Sequence, residues 1–377
     1  MTIEHTPGAR LPEGLSASAA GAARWASVRE FWMPVTTVVR DDDGVVIGAA
    51  LTMARPGTAY RKIVDVVAET ADAFAEVVRA VVSLAAGDTR PEGIDIHPAV
   101  VVHVEEHESL DDARTHALHD LGFERQAGPV PSVPSTLIDT PAGVRVWSRW
   151  ATRAPGRVIP YYGQTTEVTC GAVTALGAMH ASGHGAFAAD RDDNHSIELA
   201  FWRQATNLPA CEPVGLAVAT REALRDAATS PRVVISTDQP VLLEEYRDRP
   251  GERALREDLQ AEGRRRAQLL GVPVEHRWAT VDEIAERVAA GTPVGILIDL
   301  TALIDDPSPH WILAYDVIDG NIIVSDPWVD AENAETWADT FALPLPPATL
   351  DLVARWGEPA YRGVVVFAPR EAGAAQA

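Results

Sequence analysis

The chain reads as two mixed segments, an α/β one over 25–150 and an α+β one over 151–370. Three observations carry this reading. The first segment runs in the order β-β-α-β-α-β, whereas the second places helices first and antiparallel strands after them. Between them PVPSVPSTLIDTPAG (129–143) is rich in Pro, Ser and Thr and reads as a connector, with a boundary between 128 and 155. Asp319-Gly320, flanked by apolar runs, is the strongest short hairpin signal in the chain. Residues 1–24 and 371–377, small and polar, are expected to be disordered.

Each element has a local reason. FWMPVTTVVRDDDGVVIGAALTMA gives two strands around the Asp41–Gly44 turn. ETADAFAEVVRAVVSLAAG has apolar residues at helical spacing and stops at Gly87. AVVVHVEE (99–106) is a buried strand. SLDDARTHALHDLGF is a helix with Ser109 as N-cap, turning at Gly122 into another strand. In the second segment CGAVTALGAMHASG is a helix from Cys170 to near Gly183, and NHSIELAFWRQAT is one capped by Asn194 or Ser196. GERALREDLQAEGRRRAQLLG ends at Gly271, and its Arg264–Arg266 run reads as a solvated face. Thr280 and Glu283 form a capping box before a helix ending near Gly291. PVGILIDL, HWILAYDV, NIIVSD and RGVVVFAP are strands.

Composition excludes several function classes. With 377 residues, 46% hydrophobic, the chain can bury one large or two ordinary cores. No run of about 18 apolar residues could span a membrane, and the N-terminus lacks the basic-then-apolar pattern of a signal peptide. The 54 acidic residues against 32 basic ones give a charge of -22, which repels nucleic acid and anionic lipid. Cys170 and Cys211 are too few for a disulfide framework and have no zinc-ligand spacing, so a cytoplasmic setting without metal or cofactor is expected. Oligomeric state is left open.

One constellation carries chemistry. In YYGQTTEVTCGAV, Cys170 stands at a helix N-terminus, where free backbone N–H groups and the helix dipole favour a thiolate. Gly171 permits close approach of another group. Gln164, six residues upstream, can donate from its side-chain amide alongside the Cys170 N–H, forming an oxyanion hole. A nucleophile also needs a base and a group that holds the base. His310 opens one hairpin strand and Asp326 closes the other. With Asp319-Gly320 as a two-residue turn, paired positions sum to 639, so Asp326 faces 313 and His310 faces 329. The two lie three residues, roughly 10 Å, out of register. A bulge, a longer turn or a chain that curls beyond the ladder must close that gap. Asp316 is a competing orienter, and Cys211 reads as a buried thiol.

Gln164, Cys170-Gly171, His310 and Asp326-Pro327, with six residues from Gln to Cys and sixteen from His to Asp, resemble the bacteriocin-processing (double-glycine leader) cysteine peptidases and their free-standing relatives. The resemblance covers roughly 157–369. It implies a papain-like fold and a triad of Cys170, His310 and Asp326 with Gln164 in the oxyanion hole. Thr169 stands where many members carry Asp, and 140 residues separate Cys170 from His310, the excess falling in the Arg/Glu-rich stretch 240–272. The first segment, about 27–128, resembles the GCN5-related acetyltransferase (GNAT) fold through its element order and ALHDLGFER. Its nearest match to that fold's phosphate-cradling loop, ARPGTAYRK, lacks the glycine pattern, which implies a degenerate, substrate-holding or scaffolding domain rather than an acetyl-CoA binder.

The expected activity is therefore a thiol-dependent hydrolase acting through an acyl-enzyme on a peptide, amide or thioester. Two alternatives use the same fold: an amide-forming acyltransferase, and a non-catalytic binding protein. The cluster Asp190, Asp192, Asp193 and His195 does not match a calcium loop and reads as a solvated helix entry. Trp202, Trp311 and Trp328 either line a substrate cleft or fill the core.

Overall fold

The computed structural model describes residues 1–27, 30–88, 97–135, 144–185, 187–224 and 230–367. Among these residues the strands form two seven-stranded sheets. The first contains β1 (Thr2–Pro7), β2 (Val35–Arg40), β3 (Val46–Met53), β4 (Tyr60–Ala68), β5 (Val101–Glu106), β6 (Glu124–Arg125) and β7 (Arg145–Trp150), in the order β1-β2-β3-β4-β5-β7-β6. Only β4 and β5 run parallel, and α2 (Ala71–Ala86) makes that crossover. The other helices of this part are α1 (Ala19–Ala26) and α3 (Asp112–Asp120).

The second sheet contains β8 (Arg232–Ile235), β9 (Val274–His276), β10 (Val294–Asp299), β11 (Pro309–Ile318), β12 (Asn321–Ser325), β13 (Leu343–Leu345) and β14 (Gly363–Val366), in the order β13-β12-β11-β10-β14-β8-β9. It is antiparallel except for β8 with β9. Helices α4 (Cys170–Ala181), α5 (Arg191–Ala205) and α6 (Pro213–Ala223) come before it. They are followed by α7 (Pro250–Leu270), α8 (Val281–Ala289), α9 (Thr301–Ile304) and α10 (Pro347–Val353).

Residue alternation along the strands builds three stacked cores. Val39, Ala50, Ile63 and Val102 face α2 and α3. Their neighbours Val38, Leu51, Val64 and Val101 face the other way. There they share one core with Ile296, Ile298, Ile312, Ala314 and Val324 of the second sheet. Trp311, Leu313 and Tyr315 point to the far side, against α4 and α6. The second sheet is thus covered by helices on one face and by the first half of the chain on the other.

Ion pairs cross the shared layer at its edge. Lys62, the chain's one lysine, is wholly buried between Glu105 (2.9 Å) and Asp339. Tyr60 donates its hydroxyl to Asp339 at 2.7 Å, and the Thr336 hydroxyl donates to Glu105.

Several expectations are corrected. Residues 1–24 are not loose throughout: Thr2–Pro7 pairs antiparallel with Val35–Arg40, and Ser18 caps α1 by accepting from the Gly21 N–H. Six consecutive ladder pairs to an already formed strand outweigh the polar composition. Asp111, not Ser109, caps α3, and Asp190, not Asn194 or Ser196, caps α5; each carboxylate accepts from first-turn amides. Asn194 is buried instead, bonded to Pro131 and Ala188. The capping box of Thr280 and Glu283 and the left-handed stops at Gly87 and Gly271 are present as expected. Residues 371–377 and most of the connector lie outside the described residues.

The Lys62 site generates a test. Replacing Lys62 by Met leaves buried Asp339 without its cation and Glu105 with His107 alone, and is expected to cost about 3–5 kcal/mol in urea unfolding. A loss under about 1 kcal/mol would show that the pairing contributes nothing.

Candidate active site

The loop 161–169 delivers Cys170 to the first position of α4. Thr169 precedes it but makes no side-chain cap, leaving first-turn amides available. The Thr169 hydroxyl donates instead to Glu198 of α5. That buried carboxylate also accepts from the Tyr162 hydroxyl (2.8 Å), the Thr165 N–H (2.9 Å) and the Thr165 hydroxyl (2.8 Å). One side chain thereby ties down the whole approach to the cysteine. Gly171 is required by packing: a Cβ there would lie 2.8 Å from the Cys211 Cβ and 3.1 Å from the Trp311 Cδ1.

His310 lies on β11 opposite Ile298 of β10. The β11–β12 hairpin starts in the expected register, Ile318 with Asn321 and Asp316 with Ile323. A bulge at Tyr315 then shifts it, so that Ala314 pairs with Val324 and Leu313 with Ser325. This brings Asp326 one residue closer to His310 than a regular ladder would. Asp326 leaves the ladder, its N–H donating to the Thr340 carbonyl at 2.9 Å, and Pro327 cannot continue the strand. The two side chains span the remaining offset. His310 Nε2 donates to Asp326 Oδ1 at 2.7 Å, and both residues are buried.

Cys170 bears on the same imidazole: both residues line one cavity, and Cys170 favours the charged ring electrostatically. Burial opposes a charge on His310, but the Asp326 carboxylate and Cys170 outweigh it and push the imidazole up to about 10. Asp326 moves the other way. Burial works against its ionisation, yet His310 and Arg55 hold it down at about 2. Its Oδ1 also accepts from the Trp328 N–H at 2.8 Å, and its Oδ2 accepts from Arg55 Nη1 at 2.5 Å.

Gln164 is held by its own N–H, which donates to the Pro327 carbonyl at 2.9 Å. Its side-chain Nε2 donates to the Thr166 carbonyl at 2.8 Å, which leaves a second amide hydrogen free. Gln164, Cys170 and His310 open together onto a cavity of about 490 Å³. Trp311, Trp328 and Tyr246 line it, as do Glu167, Glu244, Glu245 and Asp306, and among the described residues no lysine or arginine does. The segment leading into α7 supplies Glu244–Tyr246, so the long stretch between Cys170 and His310 builds one wall of the cavity.

Other expected residues fall outside this arrangement. Asp316 is engaged by Arg153 at 2.9 and 3.1 Å on the surface, away from His310. Burial pushes the Cys211 thiol well above its ordinary range. Trp202 packs beside the helical core and donates to the Pro209 carbonyl at 3.1 Å. Asp192 and Asp193 donate their amides to Asp190, and the Asp192 carboxylate lies 3.7 Å from Arg191 Nε. Among the described residues no group of three or more His, Cys, Asp or Glu is placed to hold a metal.

Sequence reading missed three residues, Glu198, Arg55 and Glu335. Arg55 sits in ARPGTAYRK, where only the missing glycine pattern drew notice. An alternating arginine and acid 280 residues apart leave no local signal.

The candidate site thus joins a helix-borne cysteine to a histidine and a carboxylate from an antiparallel hairpin. Residues 159–368 match the Peptidase_C39 like family, and the chain belongs to that family. No curated protein matches. Two solved acetyltransferases show a distant likeness. One is an aminoglycoside 6'-acetyltransferase type Ii, 12% identical at a TM-score of 0.22, covering 32% of this chain and 72% of that one. The other is the aminoglycoside 6'-N-acetyltransferase from Enterococcus faecium, 10% identical at a TM-score of 0.22, covering 32% and 75%. At that TM-score the likeness carries no inference. Among the described residues no helix is long and apolar enough to cross a membrane.

Two outcomes follow from this geometry. Gly171→Ala must displace Cys211 or Trp311 and is expected to lower stability by about 1–3 kcal/mol by thermal or urea unfolding. His310, with its protonation raised in the fold, contributes stability that is full below its ordinary 6.5 and is lost as pH rises through about 10. The urea-midpoint gap between the native chain and His310→Gln should therefore be widest near pH 6 and narrow toward pH 10. A gap that widens with pH would contradict the assignment.

Proposed function

We propose that the chain is a thiol-dependent hydrolase with a papain-like arrangement, acting through an acyl-enzyme on an amide, peptide or thioester. The observation that supports this most is the buried hydrogen bond between His310 and Asp326, with Cys170, at a helix start, lining the same cavity as His310. Cys170 Sγ attacks the carbonyl carbon. The resulting oxyanion is met by the Cys170 N–H and the free hydrogen of Gln164 Nε2. The His310 imidazolium gives its proton to the departing nitrogen or sulfur, and the C–N or C–S bond breaks. Water then attacks the thioester, His310 takes its proton, and the Cys170 sulfur leaves. Asp326 holds the imidazole ring throughout and keeps its own charge. An amine in place of water would give an acyltransferase through the same residues.

The cavity supports a class of acyl donor. Glu167, Glu244, Glu245 and Asp306 outnumber the His310 imidazolium in the cavity lining, so a donor carrying a positive group beside the scissile bond is favoured. The first half of the chain serves as scaffold. Thr70 already caps the α2 N-terminus by accepting from the Ala73 N–H. The cavity beside the parting ends of β4 and β5 is lined by Asp65, Glu105, Glu106, Glu108 and Asp111 against two cations, Arg24 and Arg114. Both features oppose a bound polyphosphate.

Intact mass spectrometry after exposure to peptide and acyl-thioester libraries should detect a covalent acyl adduct, lost in Cys170→Ala along with turnover. Full turnover in Cys170→Ala would end the reading. With a basic acyl donor, Glu244→Gln/Glu245→Gln should raise KM about three- to tenfold. An unchanged KM would remove the charge preference alone.

A further inference from the structure

Arg55 belongs to the first half of the chain, in the loop between β3 and β4, yet its guanidinium is wholly buried against the second half. Its Nη1 donates to Asp326 Oδ2 at 2.5 Å, on the oxygen that His310 does not use. Its Nε and Nη2 grip Glu335 as a two-pronged pair at 2.6 Å each, and Nη2 also reaches the Trp328 carbonyl at 3.2 Å. Glu335 is itself held by the Trp32 indole N–H (2.7 Å) and the Asp330 N–H (3.0 Å). The Arg55 N–H donates to the Tyr60 hydroxyl at 3.1 Å, so the loop's backbone is anchored as well.

A planar guanidinium bonded on three sides has one orientation, and so does the carboxylate it grips. We propose that Arg55 is a positioning residue for the site: it holds Asp326 in the rotation that aims His310 at Cys170. The first half of the chain thus completes the candidate active centre, and residues 159–368 alone lack part of it. This inference rests on the thiol-hydrolase reading above.

The probe is iodoacetamide, with Cys170 alkylation followed by intact mass in the full-length chain. The readout is the ratio of rates at pH 6 and pH 9. A well-aimed imidazolium keeps a thiol reactive at pH 6, where a model thiol is slow. Arg55→Met/Glu335→Gln removes the cation together with one anion, which limits the charge imbalance. Its ratio is expected to fall about 10- to 100-fold, the range seen when a group orienting a functional ligand is lost. Arg55→Lys keeps the charge and loses the fork, and is expected to fall between the two. A residue that only stabilises the fold would lower the melting temperature and leave the ratio unchanged. A ratio within twofold of the native chain in whichever variant folds overturns the proposal. If the native Cys170 reacts no faster at pH 6 than a model thiol, the underlying hydrolase reading fails instead.

Discussion

The structure turns on one carboxylate. Asp326 is fully buried, with His310 on one oxygen and Arg55 on the other. An isolated buried carboxylate costs several kcal/mol and would take up a proton. Flanked by two cations and bonded to the Trp328 N–H, it stays charged. The charges then alternate through the interior: imidazolium, carboxylate, guanidinium, and the carboxylate of Glu335. Each member is stabilised by its neighbours, and removing one leaves the next exposed to the full desolvation penalty.

Much of the surrounding architecture serves to seat this chain of charges. The Tyr315 bulge and the departure of residues 326–328 from the ladder bring Asp326 within reach of His310. The Pro327 carbonyl fixes Gln164, linking that side of the cavity to the same turn. The shared core presses the β3–β4 loop against residues 326–339, where Arg55 and Lys62 find their acids. On the other side Glu198 gathers Tyr162, Thr165 and Thr169, so the cysteine is positioned by hydrogen bonds independent of the histidine's.

What the sequence disclosed follows the range of each signal. Gln164, Cys170, His310 and Asp326 stand out because helix starts, hairpin turns and short spacings are local. The hairpin arithmetic also showed that a regular ladder would leave His310 and Asp326 apart, and a bulge is among the devices it required. The bulge's position at Tyr315 had no signal, because no glycine marks it. Strand β4 went unread because Arg61 and Lys62 break its apolar pattern, although both are fully buried. Lys62's burial depends on Asp339, 277 residues away, and Arg61 Nη1 donates to the Met33 carbonyl. Arg55 and Glu335 were hidden for the same reason: an ion pair that spans the chain has no period.

The account stands on His310 being a charged ring clasped between Cys170 and Asp326. Side-chain ¹⁵N spectra of His310 across about pH 6 to 9 would read its protonation directly. A ring doubly protonated over that whole range is the expected result. A ring that loses its proton near 6.5, as a free histidine does, would show that no such clasp exists.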